Sequence, residues 1–249
     1  MVNILVLRAP GTNCDQETAY AFEQSGGKTE RLHVNRVLEN PNLLDGFQIL
    51  CFPGGFSFGD DVAAGKILAN LLKIRLGDPL RKFKDAGKLI LGICNGFQIL
   101  IKSGLLLDEQ ADLAPATLTW NRSGVYTDRW VKLQTAKSNC VFLRGVNSLY
   151  LPIAHAEGQF ITRNENVWNQ LKKDENIALR YAPGDNPNGS QDDIAGVCDT
   201  TGRVFGLMPH PERHLDPLQH PHWTRILPKD RPQFGDGMKI FKNAVEYFR

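Results

Sequence analysis

The sequence GICNGFQ at residues 92–98 places a cysteine between two segments of opposite character. The apolar run LIL at residues 89–91 is typical of a buried strand, and the run FQILI at residues 97–101 is typical of a helix. Gly92 and Gly96 have no Cβ atom, so the strand and the helix are able to approach closely around a tight turn. The pattern predicts a strand–turn–helix corner with Cys94 at its apex, which is a nucleophile elbow with sulfur in place of oxygen.

Such a corner favours a role for Cys94 as a nucleophile. Free backbone N–H groups and the positive end of the helix dipole stabilise a thiolate at the start of a helix. The N–H of Asn95, the next residue, is placed to stabilise an oxyanion. A single cysteine is more often a small buried apolar residue, and we interpret Cys51 and Cys198, which lie in apolar runs, in that way.

Residues 204–213, with the sequence VFGLMPHPER, offer a base and an orienting acid for such a thiol. The first five residues predict a short buried strand, and the two prolines predict extended backbone after it. Because residues i and i+2 of extended chain point the same way, His210 and Glu212 are expected to share one side beyond the strand end. Open α/β sheets bind ligands at that edge. We therefore predict a triad of Cys94, His210 and Glu212.

A metal site is the alternative for this histidine-rich region, which also contains His214, His220 and His222. The run HPERH is not the zinc motif HExxH, and its prolines prevent the helix that the motif requires. We therefore predict no metal in this chain.

A glycine-rich segment, PGGFSFGDD at residues 53–61, follows another predicted strand. Glycines allow backbone N–H groups to face a ligand closely. We predict that Gly55 or Phe56 supplies the second donor of an oxyanion hole, beside the N–H of Asn95. The phosphate-loop pattern GxxxxGK[ST] is absent, so we expect no ATP site in this chain.

The composition is that of an ordinary globular domain, with 249 residues of which 42% are hydrophobic and 22% charged. The net charge of +2 gives no electrostatic reason to expect nucleic acid or a membrane as a partner. Five cysteines without a CxxC pair indicate a reducing compartment, so we expect a cytoplasmic protein. The apolar run at residues 2–7 is too short for a signal peptide or a membrane span and predicts a first strand.

Strand and helix patterns alternate in the first half, which predicts an open, mostly parallel α/β sheet flanked by helices. The second half adds strands. We predict strands at residues 2–7, 29–34, 47–52, 88–93, 117–120, 129–134, 149–154, 177–181, 194–197 and 204–208, and helices at 14–24, 63–73, 97–103 and 238–248. We predict a single domain over residues 1–249, with an irregular tail and the C-terminal helix from about residue 215.

Together, the motifs at 92–98, 53–60 and 209–213 resemble those of class I glutamine amidotransferases. Within that family, PGTNCD at residues 10–15, PIAHAEG at 152–158 and GLMPHPER at 206–213 resemble the glutaminase subunits that serve purine biosynthesis. The resemblance covers nearly the whole chain and implies a flavodoxin-like amidotransferase fold with additional antiparallel strands.

The resemblance also implies a reaction. Cys94 attacks the side-chain amide of glutamine, His210 acts as base and then as acid to the leaving ammonia, and Glu212 orients His210. Water then hydrolyses the γ-glutamyl thioester.

The glutamine pocket is implied in the same way. Gln98, four residues after the nucleophile, matches a position that contacts glutamine in this class. His155, Glu157 and Gly158 match a second stretch that lines the pocket.

The family further implies partners. Without a nucleotide site, the chain is expected to dock onto a synthase subunit that binds ATP, Mg²⁺ and formylglycinamide ribonucleotide, together with a small accessory subunit. The acceptor would become formylglycinamidine ribonucleotide. One departure from the family is that Asp61-Val62-Ala63 stands where many relatives have Tyr-Leu-Arg.

The alternative functions are an amidotransferase that serves another synthase, a cysteine hydrolase of α/β-hydrolase type, and a non-catalytic binding module.

Overall fold

A computed structural model describes residues 1–107 and 114–249. The strands are β1 (Asn3–Arg8), β2 (Lys28–His33), β3 (Ile49–Phe52), β4 (Leu89–Ile93), β5 (Ala116–Thr119), β6 (Thr127–Thr135), β7 (Ser148–His155), β8 (Gln159–Thr162), β9 (Ile177–Tyr181), β10 (Ile194–Cys198) and β11 (Val204–Leu207). The helices are α1 (Asp15–Gln24), α2 (Val34–Glu39), α3 (Lys66–Asp85), α4 (Asn95–Lys102), α5 (Glu165–Lys173) and α6 (Met238–Glu246).

Among the described residues, nine strands form one sheet in the order β2-β1-β3-β4-β11-β10-β9-β6-β7. The five strands from β2 to β11 are parallel, and the remaining four pair antiparallel to their neighbours. Strands β5 and β8 form a separate antiparallel pair. The prediction of an open α/β sheet with additional antiparallel strands is confirmed.

The central parallel strands are apolar because helices cover both of their faces. Every residue of β3, β4 and β11 is buried. The buried apolar residues of the two halves of the chain belong to one continuous cluster. Helix α6 closes this cluster from the C-terminal end, where Phe241 meets Phe22 of α1 edge to face at 4.9 Å.

Several segments differ from the sequence prediction. The helix predicted at residues 63–73 is Lys66–Asp85 and passes through Pro79. It continues because buried leucines recur every fourth residue on its inner face, as Leu68, Leu72, Leu76 and Leu80. Helices α2 and α5 and strand β8 were not predicted.

Short 3-10 turns lie between residues 217 and 230, and helix α6 follows them. Among the described residues, no helix combines the length and the apolar character that crossing a membrane requires.

Candidate active site

Cys94 lies at the predicted corner between β4 and α4. Strand β4 ends at Ile93 and helix α4 begins at Asn95, and Cys94 between them has φ 51° and ψ −104°. Residues with a side chain rarely adopt positive φ, and such strain is concentrated at functional positions. The Cys94 N–H donates to the carbonyl oxygen of Leu207 in β11 at 2.8 Å, which fixes the corner against the neighbouring strand.

The two glycines of the heptapeptide are required by close backbone contacts. A Cβ atom on Gly96 would lie 1.9 Å from the carbonyl oxygen of Phe52, and one on Gly92 would lie 2.6 Å from that of Gly96. Helix α4 therefore packs on β3 and β4 at a distance that only glycine permits. The Cys94 side chain is 5% exposed, and its Sγ lies 3.8 Å from the carbonyl oxygen of Ala154 at the end of β7.

His210 and Glu212 form a buried pair beyond the end of β11. The Nδ1 of His210 lies 2.6 Å from Oε1 of Glu212, and both residues are 2% exposed. The two prolines had predicted an extended backbone between them, but the backbone there is not extended. Pro211–Arg213 forms a 3-10 turn, because proline is well suited to the first position of a helical turn. The predicted proximity is present, although the predicted backbone was wrong.

The environment of His210 favours its protonated form. Burial lowers the pKa of His210, but the carboxylate of Glu212 and the sulfur of Cys94 outweigh burial and raise that pKa well above its ordinary value. The Nε2 of His210 is buried and has no hydrogen-bond partner among the described residues. Since Nδ1 is held by Glu212, Nε2 is the atom available to exchange a proton with a reacting group.

A second cysteine, Cys14, packs behind this pair. It is buried, and burial raises the pKa of its thiol to about 11. Arg213 donates from Nη2 to the Sγ of Cys14 at 3.3 Å and from Nε to Glu17 at 3.0 Å. Local sequence patterns carry no signal for this contact, because Cys14 and Arg213 are 199 positions apart.

The ligand-type atoms of Cys14, His210 and Glu212 lie within 4.8 Å of one another. Zinc accepts this set of donors, but it binds cysteine as the thiolate. The raised pKa of Cys14 and the guanidinium of Arg213 beside it both oppose a divalent cation. The absence of a metal from this chain stays a prediction.

The predicted oxyanion donors differ in their availability. The N–H of Phe56 donates to the carbonyl oxygen of Gly11 at 3.0 Å, so in this conformation it is not free to bind an oxyanion. The prediction of Phe56 as an oxyanion donor is corrected accordingly. Gly55 has φ 138°, a conformation that a side chain would strain. The N–H of Gly55 and that of Asn95, which lies at the free start of α4, remain the predicted pair.

Gln98 and Glu157 are held by contacts within the chain. Gln98 is buried rather than on the helix surface, and its Nε2 donates to the carbonyl oxygen of Glu157 at 2.6 Å. The Glu157 carboxylate accepts from the N–H of Ala64 at 3.1 Å and lies 3.9 Å from Nζ of Lys102. The structure thus brings the two residues together, while their contact with glutamine stays a prediction.

His155 is a buried neutral histidine at the end of β7. Burial lowers the pKa of His155 to about 3, and the positive charge of His210 acts in the same direction. Its Nδ1 lies 3.1 Å from Oδ1 of Asn121, and the same oxygen accepts from the N–H of Gly158 at 3.0 Å. A Cβ on Gly158 would lie 2.2 Å from the His155 ring, so the ring requires glycine there.

With Nδ1 donating to Asn121, the Nε2 of His155 is a buried acceptor without a partner among the described residues. Such an atom is suited to accept a hydrogen bond from a ligand. The role of His155 in binding glutamine stays a prediction. Asn121 was missed by sequence analysis, since its partners lie 34 and 37 positions away.

The class of protein follows from a family match over nearly the whole chain. The chain belongs to the family of CobB/CobQ-like glutamine amidotransferase domains, whose model matches residues 1–248. The resemblance of its motifs to glutamine amidotransferases is thereby confirmed.

Two curated relatives carry the same particular name. The chain is 46% identical to the phosphoribosylformylglycinamidine synthase subunit PurQ of Dehalococcoides mccartyi, over 100% of this chain and 98% of that protein. It is 40% identical to the subunit PurQ of Methanococcus maripaludis, over 98% of this chain and 97% of that protein.

Solved structures agree with this similarity. A chain in the structure of PurLQS from Thermotoga maritima matches with a TM-score of 0.77 and 32% identity, over 100% of this chain and 99% of that chain. Another glutamine amidotransferase from Thermotoga maritima matches with a TM-score of 0.57 at 15% identity, over 99% of this chain and 97% of that chain, which is a likeness of fold alone.

Proposed function

We propose that this chain is the glutaminase subunit of a phosphoribosylformylglycinamidine synthase. It hydrolyses the side-chain amide of glutamine and delivers the ammonia to a synthase subunit, which converts formylglycinamide ribonucleotide to formylglycinamidine ribonucleotide. The observation that carries this proposal is a strained cysteine corner beside a buried His210–Glu212 pair, in a chain that is similar to named subunits over its full length.

Cys94 is the nucleophile of the proposed reaction. His210 takes up the thiol proton at Nε2 before the attack, which agrees with its raised pKa, and the Sγ then attacks the amide carbon of the glutamine side chain as the thiolate. The C–N bond then breaks, and His210 returns the proton to the leaving nitrogen, which departs as ammonia. Water attacks the γ-glutamyl thioester, the C–S bond breaks, and glutamate and the free thiol are formed.

Glu212 holds a proton of His210 on Nδ1 and stabilises the imidazolium form of that residue. The negative oxygen of each tetrahedral intermediate is bound by the N–H groups of Gly55 and Asn95. Donors of this kind stabilise the transition state more than bound glutamine, so their loss lowers kcat more than it raises KM.

The partner and cofactor assignments rest on the same proposal. We propose that ATP and Mg²⁺ bind to the synthase subunit, that a small accessory subunit completes the complex, and that this chain needs no cofactor of its own. We also propose a cytoplasmic location, since all five cysteines are free and disulfides are rare in the reducing cytosol.

Reconstitution with the synthase and accessory subunits tests this function. The wild-type complex should form the amidine product with either glutamine or ammonium chloride as nitrogen donor. The variant Cys94→Ala should lose the reaction with glutamine and keep that with ammonium chloride, because the acceptor site lies on another subunit. The variant Cys140→Ala, which alters a buried cysteine outside the site, should keep both reactions.

Loss of both reactions in Cys94→Ala, or retention of both, would contradict the assignment of Cys94 as the source of ammonia. A wild-type chain that releases glutamate but supports amination of a different acceptor would instead favour an amidotransferase of another synthase.

A further inference from the structure

The side chain of Asn95 connects the nucleophile helix to the predicted oxyanion loop. Its Oδ1 accepts from the N–H of Ser57 at 3.2 Å. Its Nδ2 donates to Oδ1 of Asp60 at 3.0 Å and to Oε1 of Gln98 at 2.9 Å. Asn95 and Ser57 are both buried, so these hydrogen bonds are shielded from water. The proposed reaction uses only the backbone N–H of Asn95, and it leaves this side chain without a role.

The same segment is fixed at its far end. Asp60 accepts a further hydrogen bond from the N–H of Gly65 at 3.3 Å. Ala64 donates its N–H to the Glu157 carboxylate at 3.1 Å, and its carbonyl oxygen accepts from Nζ of Lys102. Residues 57–65 are therefore attached at one end to Asn95 of helix α4 and at the other to Lys102 of the same helix and to Glu157.

These contacts hold a backbone that is strained along its length. Phe58, Asp60 and Val62 have φ of 54°, 53° and 71°, in the left-handed region that favours glycine. A β-branched residue such as Val62 is a marked outlier there. Conformations of this kind persist only where the surrounding contacts over-determine them, and here the side-chain amide of Asn95 and the carboxylate of Asp60 supply those contacts.

Gly55, the predicted oxyanion donor, lies two residues before this segment. The two residues that follow Gly55 are both anchored, since the Phe56 N–H donates to Gly11 and the Ser57 N–H donates to Asn95. Gly55 is therefore constrained by both anchors, of which the one at Ser57 is supplied by the side chain of Asn95.

We propose that Asn95 and Asp60 are positioning residues of the oxyanion hole. Asn95 supplies one oxyanion donor from its backbone and, through its side chain, aligns the loop that carries the other. Asp60 holds the Asn95 amide in the orientation that accepts from Ser57. This inference deepens the proposed function and rests on it.

Substitutions at Asp60 test whether its hydrogen bond with Asn95 positions the oxyanion hole. Asp60→Asn retains an oxygen that accepts from Asn95, whereas Asp60→Ala removes it. Asp61→Ala, which alters the exposed neighbouring side chain, is the matched control. In the reconstituted complex, Asp60→Ala should lower the kcat for glutamine hydrolysis about tenfold to a hundredfold, somewhat less than the loss of a whole oxyanion donor.

The KM for glutamine should change less than about threefold, because the donors act in the transition state. Asp60→Asn should recover most of the lost kcat, and Asp61→Ala should match the wild type. Alkylation of Cys94 by iodoacetamide should proceed at the wild-type rate in all variants, since it needs no oxyanion hole. An unchanged kcat in Asp60→Ala, a rise in KM alone, or an equal loss in Asp60→Asn would overturn the inference.

Hydrogen exchange provides a test that does not depend on glutamine turnover. The backbone amides of residues 55–65 should exchange faster in Asp60→Ala than in the wild type, and Asp60→Asn should restore their protection. Equal protection in wild type and Asp60→Ala would overturn the inference. Absence of glutamine hydrolysis by the wild-type complex, with this difference in exchange present, would instead contradict the proposed function.

Discussion

The Nδ1 of His210 lies 2.6 Å from Oε1 of Glu212, although only a proline separates the two residues and both are buried. The 3-10 turn that begins at Pro211 creates this short contact by folding Glu212 back toward the histidine. An acid so close in sequence to its histidine distinguishes this site from the order of the α/β-hydrolases, in which the acid precedes the histidine at a distance.

The charge of Glu212 is expected to matter mainly in the transition state. Glu212→Gln should lower kcat at least about a hundredfold and leave KM for glutamine nearly unchanged, because an amide cannot stabilise the imidazolium. Steady-state kinetics of the reconstituted complex measure both constants, with Glu246→Gln on the exposed face of α6 as the control. A large rise in KM at unchanged kcat would give Glu212 a binding role instead.

Local patterns were sufficient to predict the corner at Cys94. The glycines at 92 and 96, an apolar strand and the helix after it are neighbours in sequence, and the close contacts of Gly96 show why that spacing is needed. The pairing of His210 with Glu212 was also predicted. The prediction of an extended backbone between them was wrong. Pro211 was interpreted as preventing a helical turn, whereas proline is favourable at the first position of such a turn.

Contacts between distant residues could not be predicted from local patterns. Asn121 holds His155 from 34 positions away, and Cys14 meets Arg213 across 199 positions. The extension of α3 through Pro79 likewise depends on burial of its leucines against the sheet, which outweighs the local preference of proline to end a helix.

The strained backbone at Val62 predicts an unusual gain from glycine. The Val62 side chain is 83% exposed, so its removal loses little packing, while relief of the positive φ should stabilise the fold by about 1 kcal/mol. Thermal unfolding of Val62→Gly should therefore shift upward by about 2–4 °C. Val125, 60% exposed and outside the group of residues with positive φ, is the control, and Val125→Gly should lower stability slightly. Destabilisation of both variants would contradict strain at Val62.

The depressed pKa of His155 predicts a loss of stability in acid. The folded state keeps this histidine neutral down to about pH 3, whereas the unfolded chain binds a proton below about pH 6.5. Stability should thus fall as pH decreases between these values, by up to about 1.4 kcal/mol per pH unit from this residue. Denaturant unfolding at several pH values should show a shallower decline in His155→Gln. Identical slopes in the two proteins would contradict the burial of a neutral histidine.

The contact of Gly96 with Phe52 predicts severe destabilisation by a single methyl group. Because the new Cβ would lie 1.9 Å from the Phe52 carbonyl oxygen, Gly96→Ala must displace α4 from β3, at a cost of about 3 kcal/mol or more. Gly46→Ala, whose Cβ would meet no atom within 4 Å, is the matched control and should unfold close to the wild-type temperature. Similar unfolding temperatures for both variants would show that the corner is less tightly packed.

The covalent intermediate is the most direct test of the catalytic assignment. The reconstituted complex is mixed with glutamine, quenched in acid during turnover, and digested for mass spectrometry of its cysteine-containing peptides. One γ-glutamyl group should be found on Cys94, on no other cysteine, and not at all in Cys94→Ala. Glutamine turnover with no adduct, or an adduct on Cys14 or another cysteine, would contradict a thioester formed at Cys94.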